Sequence, residues 1–327
     1  MNSNSSTFTV NEIIWLLNGT LTIIVNAILL GIICFNRKLW NFSNTVVISM
    51  CATGILWSLL YILPRWAFVN YTSQNWLFCS ILPQIGIFFI TILNLHLVLI
   101  SLDKLFAILY PFKYIKFATI NASLVGIILI WLIPAFVAVL PFITFRQLSP
   151  PDCKRSVSNS TTEIDYLIAV FSLLFFVPLA CMLLCYTYVF HIANQQLNKL
   201  HMEAKISHSC RIKVRNVKAA RRLSIIVAVF TVMWLPYVIT FFVYSVAGDK
   251  TAISQNTIPV FRYFAFFYPI FNPILYGFFN NNIRTAFVTS RIIALCRRIG
   301  RKSNTYTQHE SSFLQAVGKM IYTNAKR

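Results

Sequence analysis

The chain has 327 residues, 57% of them hydrophobic and only 11% charged, a balance that does not match the surface a soluble globule of this size needs. Its formal charge is +20, but the basic residues fall between long apolar stretches, so the charge reports on membrane topology rather than on nucleic acid.

Lipid offers backbone amides no partner, and crossing about 30 Å of hydrocarbon takes about 20 apolar residues in a helix. Seven stretches meet that requirement: Ile13 to Cys34, Thr45 to Leu63, Phe78 to Ser101, Ala122 to Phe145, Tyr166 to Phe190, Leu223 to Gly248 and Thr257 to Phe279. Read this way, no span contains Lys, Asp or Glu, and Arg262 is the one full charge inside. The first 12 residues lack a basic region and span 1 is full length, so no cleavable signal peptide is expected. The expected fold class is an all-α membrane protein: residues 1–12 form an extracellular N-terminus, 13–279 a seven-transmembrane helix bundle, 280–297 a short amphipathic helix on the inner leaflet, and 298–327 a disordered cytoplasmic tail. Ile283, Ala286 and Phe287 share one face of that short helix.

With the carboxyl terminus placed inside, 22 of the 28 Lys and Arg residues lie on the cytoplasmic side, as the positive-inside rule requires. This orientation puts the N-terminus outside and the chain in the plasma membrane, with a basic inner face suited to anionic lipid or an acidic partner. Asn4, Asn70 and Asn159 open Asn-x-Ser/Thr triplets on the outer side and are glycosylation candidates; the triplets at Asn18, Asn41 and Asn121 lie in a span or inside. Only Cys79 and Cys153 stand where oxidation is favoured, which makes them the one candidate disulfide. Cys296, at the inner membrane surface, is a palmitoylation candidate; an ordinary reduced thiol is the competing reading.

Several spans carry a polar or helix-breaking residue that lipid-facing packing would not ask for. In chain order they are Asn26; Ser101-Leu102-Asp103-Lys104, with Tyr110-Pro111 after it; Trp131 and Pro141; Pro178 and Tyr186; Phe230 with Trp234-Leu235-Pro236; and Asn272-Pro273-Ile274-Leu275-Tyr276. Together with Cys79 and Cys153 this series resembles the rhodopsin-like (class A) G-protein-coupled receptors over about residues 10 to 297. The resemblance implies an extracellular ligand that biases Trp234 and Phe230, hinges at Pro178, Pro236 and Pro273, and an outward swing of span 6 that admits a heterotrimeric G protein. It also implies arrestin and receptor kinases as partners of a tail containing Ser303, Thr305, Thr307, Ser311 and Ser312.

The chain departs from that pattern at several places. Asp103-Lys104-Leu105 replaces Asp-Arg-Tyr, and lysine lacks the planar donor fork of arginine. Gly54 stands where the family has a sodium-binding aspartate, with Leu93 at its usual polar partner, so a sodium site has no anchor. Met233 and Asn94 are further departures, without an account in sequence terms. Gly86 occupies the register of the aspartate that holds ligand amines, and no span read from sequence offers another buried acid, which disfavours an amine ligand. Phe266 stands in the register of the Schiff-base lysine of opsins.

A charge in a membrane helix costs roughly 2.5 to 3.5 kcal/mol on insertion scales and is commonly retained for function. Arg262 is therefore the candidate anchor for an anionic ligand, with Arg65, just beyond span 2, as a second donor. Trp66, Tyr237, Phe241 and Phe266 are the expected walls; snorkelling of Arg262, or pairing with Asp249, is the bland alternative. His96 reads as a packed polar residue, while His201, His208 and Cys210 lack zinc-site spacing, so no metal or cofactor is expected. No span pairs carboxylates or sets a nucleophile beside a base, which argues against an enzyme. A transporter would show repeated halves and several intramembrane ionisable groups. Lys104 and Gly54 leave one further alternative, a receptor-like decoy or heteromer partner without G-protein activation.

Overall fold

The computed structural model describes residues 9–69, 76–145, 161–200, 208–247 and 257–289, with side chains for 9–69, 81–145, 161–192, 222, 224–245 and 257–289. The candidate glycosylation sites Asn4, Asn70 and Asn159, the Cys153 position and the Cys79 side chain, Cys296 and the tail hydroxyls lie outside these ranges.

Seven helices are long and apolar enough to cross a membrane: span 1 (Val10–Phe35), span 2 (Phe42–Ala67), span 3 (Trp76–Leu109), span 4 (Ile120–Thr144), span 5 (Thr161–Ile192, continuing to Leu200), span 6 (within His208–Ala247) and span 7 (Thr257–Phe279). Short helices follow span 3 (Pro111–Phe117) and span 7 (281–289). Spans 1, 2 and 4 begin earlier than hydrophobicity alone indicates, because their first turns are capped by polar side chains. Thr9 Oγ1 accepts from the Glu12 N–H at 3.3 Å while Glu12 accepts from the Thr9 N–H at 2.8 Å, a reciprocal capping box. Asn41 caps span 2 through the Asn44 N–H at 3.0 Å, and Thr119 caps span 4 through the Ala122 N–H at 3.2 Å.

Span 3 is the central post, packing against spans 2, 4, 5 and 6; span 7 packs against spans 1 and 6. Span 4 shows how lipid replaces water as the outer solvent. Leu124, Val125, Ile128, Leu129, Leu132, Ile133 and Phe136 form an exposed apolar stripe at helical period, while Ser123 and Ile130 face inward. Polar side chains are turned to the interior. Asn26 Nδ2 donates to the carbonyls of Thr22 (2.8 Å) and Pro269 (3.0 Å), and Asn18 Nδ2 to that of Phe266 (3.2 Å), tying span 1 to span 7. His96 joins spans 2, 3 and 4. Its Nδ1 faces only the Ile92 carbonyl (2.8 Å) and so carries the proton; Nε2 then accepts from Ser49 Oγ (2.9 Å), which itself accepts from Trp131 Nε1 (3.0 Å). Every polar atom of this buried imidazole is satisfied, as a packed residue requires.

Two spans widen into π-helix, Ser58–Ala67 in span 2 and Ser172–Phe176 in span 5. In span 2 the cause is Pro64, which has no N–H to give to the preceding turn; the helix passes it by lengthening its bonds, so that the Phe68 N–H reaches the Leu63 carbonyl at 2.9 Å. In span 5 the cause is Pro178, which has no N–H for the Leu174 carbonyl one turn earlier, and a side chain of span 3 answers the carbonyl so freed. Asn94 Nδ2 donates to the carbonyls of both Leu174 and Phe175 at 3.1 Å, taking up acceptors released where the regular ladder is interrupted. This accounts for an amide at a place where the sequence pattern has none. Asn94→Leu is expected to remove both bonds and lower stability by about 1–2 kcal/mol, a fall of a few degrees in the Tm of the purified protein in detergent. An unchanged Tm would contradict the role given to Asn94.

Candidate functional site

A cavity opens at the end of the bundle where span 1 begins, lined by spans 2, 3, 5, 6 and 7. The space open to the centres of water-sized molecules is about 160 Å³. Trp234 forms its floor, touching Trp57 (ring centroids 5.5 Å apart) and Phe266 (5.7 Å). Phe266 is the hub of the aromatic wall, lying 5.5 Å from Tyr237, 5.9 Å from Tyr61 and 5.4 Å from Trp57. Tyr237 continues the wall to Phe241 at 6.0 Å.

The cationic side of the cavity is built by the π segment of span 2. Arg65 was expected just beyond that span; because the helix continues through Pro64, Arg65 lies within it, followed by Trp66. The Trp66 ring takes the Arg262 guanidinium at 3.8 Å from its centroid and the Arg65 guanidinium at 5.4 Å. Contacts of this kind contribute about 0.5–2 kcal/mol each and hold the guanidinium planes without using their N–H donors. Among the described residues the buried Arg262 Nε has no acceptor, and neither arginine makes an ion pair. Asp249, the alternative partner, lies outside the described residues. Two like charges beside one indole, with a buried donor unanswered, form an arrangement that an entering anion would relax.

Gly86 borders the cavity for a steric reason. A Cβ there would stand 2.7 Å from Tyr61 Cζ and 2.9 Å from Tyr61 Oη, so the tyrosine occupies the room a side chain from span 3 would need. Sequence reading missed the one acid among the described residues of the cavity. Glu163 precedes the stretch Tyr166 to Phe190 read as span 5, but it lies in the first turn of that helix, buried to 6% exposure, and lines the cavity with Leu167 one turn further on. The expectation that no span offers a further buried acid, and that none contains Lys, Asp or Glu, is corrected accordingly: Glu12 in span 1 and Asp103 in span 3 are buried as well, and Lys104 lies within span 3. For Glu163 the cause is the polar turn Thr161-Thr162-Glu163, which reads as loop because it precedes the apolar run.

Below Trp234 an aromatic line leads inward. Phe230 lies 6.2 Å from Trp234, 6.0 Å from Phe175 and 5.1 Å from Tyr268. Phe175 is the residue whose carbonyl Asn94 holds, three positions before Pro178. Tyr268 donates to Asn272 Oδ1 at 3.3 Å beside Pro273. Gly54 faces Asn26: a Cβ on it would meet Asn26 Oδ1 at 2.9 Å. The space where a sodium-binding carboxylate would project is thus filled by a neutral amide. Exchanging sodium for an organic cation at constant ionic strength is expected to leave agonist Kd unchanged within about twofold; a sodium-dependent shift beyond that would refute it.

At the opposite end of the bundle Asp103 collects three donors: Ser43 Oγ from span 2 (2.6 Å), Lys104 Nζ (2.6 Å) and Tyr114 Oη from the short helix after span 3 (2.8 Å). Lys104 also donates to Ser43 Oγ. Burial, with the Asp103 carboxylate beside it, pushes the Tyr114 phenol up from its ordinary value, so it stays a donor. Tyr186 accepts from Ser101 Oγ at 3.1 Å, and Tyr276 donates to Asn44 at 3.4 Å. Arg222 of span 6 donates to the Phe279 carbonyl at the end of span 7 (3.0 Å) and to Asn281 (3.2 Å), tying the two helices together.

The description 7 transmembrane receptor (rhodopsin family) matches residues 25–276. The chain belongs to this family of membrane receptors, which are not enzymes. It is 25% identical to the histamine H2 receptor of Homo sapiens over 94% of this chain and 84% of that protein. It is 29% identical to the histamine H2 receptor of Canis lupus familiaris over 82% and 75%, and 26% identical to the octopamine receptor beta-2R of Chilo suppressalis over 90% and 82%. Family membership makes it a multi-pass protein of the plasma membrane with an extracellular ligand and a G protein as partners.

Proposed function

We propose that the chain is a cell-surface receptor, N-terminus outside and C-terminus inside, that binds a ligand bearing an anionic group in the cavity above Trp234 and activates heterotrimeric G proteins at the opposite face. The observation that carries the ligand class is the pair Arg65 and Arg262 against Trp66, with Arg262 Nε buried and unanswered. A carboxylate or phosphate offers the bidentate acceptor that such a fork lacks here. Ligand contact at Phe266, Tyr237 or Phe241 would then be passed by Trp234 to Phe230, and span 6 would release the Arg222 tie to span 7 as it swings. The tail is read as the site for receptor kinases and arrestin, and Cys79 with Cys153 as the disulfide.

One observation favours a second reading. The relatives are named for histamine and octopamine, which are amines, and Glu163 gives an amine one acidic partner in the cavity even though Gly86 does not. The two readings part in a G-protein dissociation assay on cells with surface staining, challenged with carboxylates, phosphates and amines. Activation by anions supports the proposal; activation by simple amines alone, unaffected by Arg262→Gln, would overturn it.

Lys104 bears on the coupling step. Its ammonium is spent on Asp103 and Ser43, and a point charge has no spare planar donors for a partner. Lys104→Arg is expected to raise agonist-stimulated G-protein activation severalfold at matched surface expression. An equal or lower response would contradict this, and silence of both forms towards every G protein would favour the decoy reading.

A further inference from the structure

The cavity has two electrical poles. Arg65 and Arg262 supply the positive one from spans 2 and 7, and Glu163 supplies the negative one from span 5. Glu163 has an ordinary role as an acid in the first turn of a helix, where it favours the N-terminal dipole. That role is served equally well by an exposed carboxylate, and Asp165 in the same turn is exposed. Glu163 is instead buried and turned to the cavity, and burying a carboxylate is costly unless charge or donors answer it. A carboxylate has about four acceptor sites, so a partner within the protein leaves room for another from a ligand.

Between the poles the walls are aromatic: Tyr61, Tyr237, Phe266 and Trp234. The open space, about 160 Å³, is close to that of an engineered cavity of about 150 Å³ that takes one benzene ring. We infer that the ligand is a compact aromatic zwitterion, a single ring carrying both a carboxylate and an ammonium group, as in an aromatic amino acid. This rests on the anion reading of Arg65 and Arg262 and adds the cationic group that Glu163 receives. An anion alone would use the arginines and leave the acceptor sites that Glu163 presents to the cavity unused, while an amine alone would add a third cation to two arginines. A molecule with both charges answers both poles and brings no net charge into the cavity.

The test uses three probes that share one ring: 3-phenylpropionate with the carboxylate alone, phenethylamine with the amine alone, and phenylalanine with both. Binding is read as the thermal shift of the purified full-length receptor, and response as G-protein dissociation in cells with matched surface staining. Phenylalanine is expected to bind about tenfold to a hundredfold more tightly than either single-charge probe, the size of one further charged hydrogen bond. Glu163→Gln should remove that advantage while leaving 3-phenylpropionate unchanged or improved, and Arg262→Gln should weaken both. If 3-phenylpropionate equals phenylalanine on the unaltered receptor, the zwitterion proposal is overturned and the anion reading stands. If phenethylamine binds best and Arg262→Gln has no effect, both fail; the absence of any shift with all three overturns the aromatic single-ring class. The comparison of probes on the unaltered chain does not depend on Glu163→Gln folding.

Discussion

Replacing Arg262 with alanine is expected to weaken a carboxylate agonist about a hundredfold or more, read as EC50 in a G-protein assay at equal surface expression. Truncating one partner of a buried, hydrogen-bonded charge pair costs about 2–5 kcal/mol, much of it the penalty of leaving the other charge unpaired. Arg262→Lys should recover only part of the loss, because an ammonium keeps the charge but not the fork. The opposite sign is expected without ligand. The buried Nε has no acceptor and Arg65 shares the same indole, so Arg262→Leu should raise the Tm of the empty receptor. A ligand-binding arginine predicts both changes together. An arginine that only braces Trp66 predicts a lower Tm and unchanged potency, and that result would sink the proposal.

Gly86→Asp is the second large effect. It places at Gly86 the residue by which this family holds ligand amines, and it is expected to abolish function rather than confer amine binding. Its Cβ would stand 2.7 Å from the Tyr61 ring, and Tyr61 is fixed by Trp57 at 6.3 Å and Phe266 at 5.9 Å, so neither ring has free space to enter. Overpacking of this kind costs about 1–3 kcal/mol, enough to reduce surface expression of a marginal membrane protein. Tyr61→Ala combined with Gly86→Asp should restore expression by opening that volume. The new carboxylate would then lie in the cavity with Arg65 and Arg262, and responses to carboxylates should be lost. Normal expression of the single variant, with new amine responses, would show that Tyr61 does not hold the position assigned to it.

The fold was legible because the membrane leaves few solutions: seven runs of apolar residues have to be helices, and their breaks fall where Asn, Pro and Trp recur. Arg262 was legible for the same reason, as the lone charge in a run that otherwise has none. The rest of the cavity was not. Glu163 belongs to a polar first turn, and hydrophobicity ends a span at such turns although the helix does not end there. The convergence of Arg65 and Arg262 on Trp66 depends on a local widening of span 2 that no periodicity of 3.6 can foresee. The match of Gly86 to Tyr61 is a relation between two helices, and a single sequence carries no sign of which residues meet. Asn94 is the clearest case: anomalous in sequence, it became intelligible only beside the two carbonyls of span 5.

The widened stretch of span 2 bears on how this chain is to be aligned with its relatives. A π turn carries one residue more than an α turn over nearly the same rise, so it behaves as an insertion absorbed within a helix. Residues before Ser58 can be paired one to one with those of a relative whose second helix is regular. From Arg65 onward the same count assigns each side chain to a neighbour's direction, and an alignment without a gap near Pro64 would compare Arg65 with residues that point elsewhere. Identities at this cavity wall have meaning only after that offset is placed.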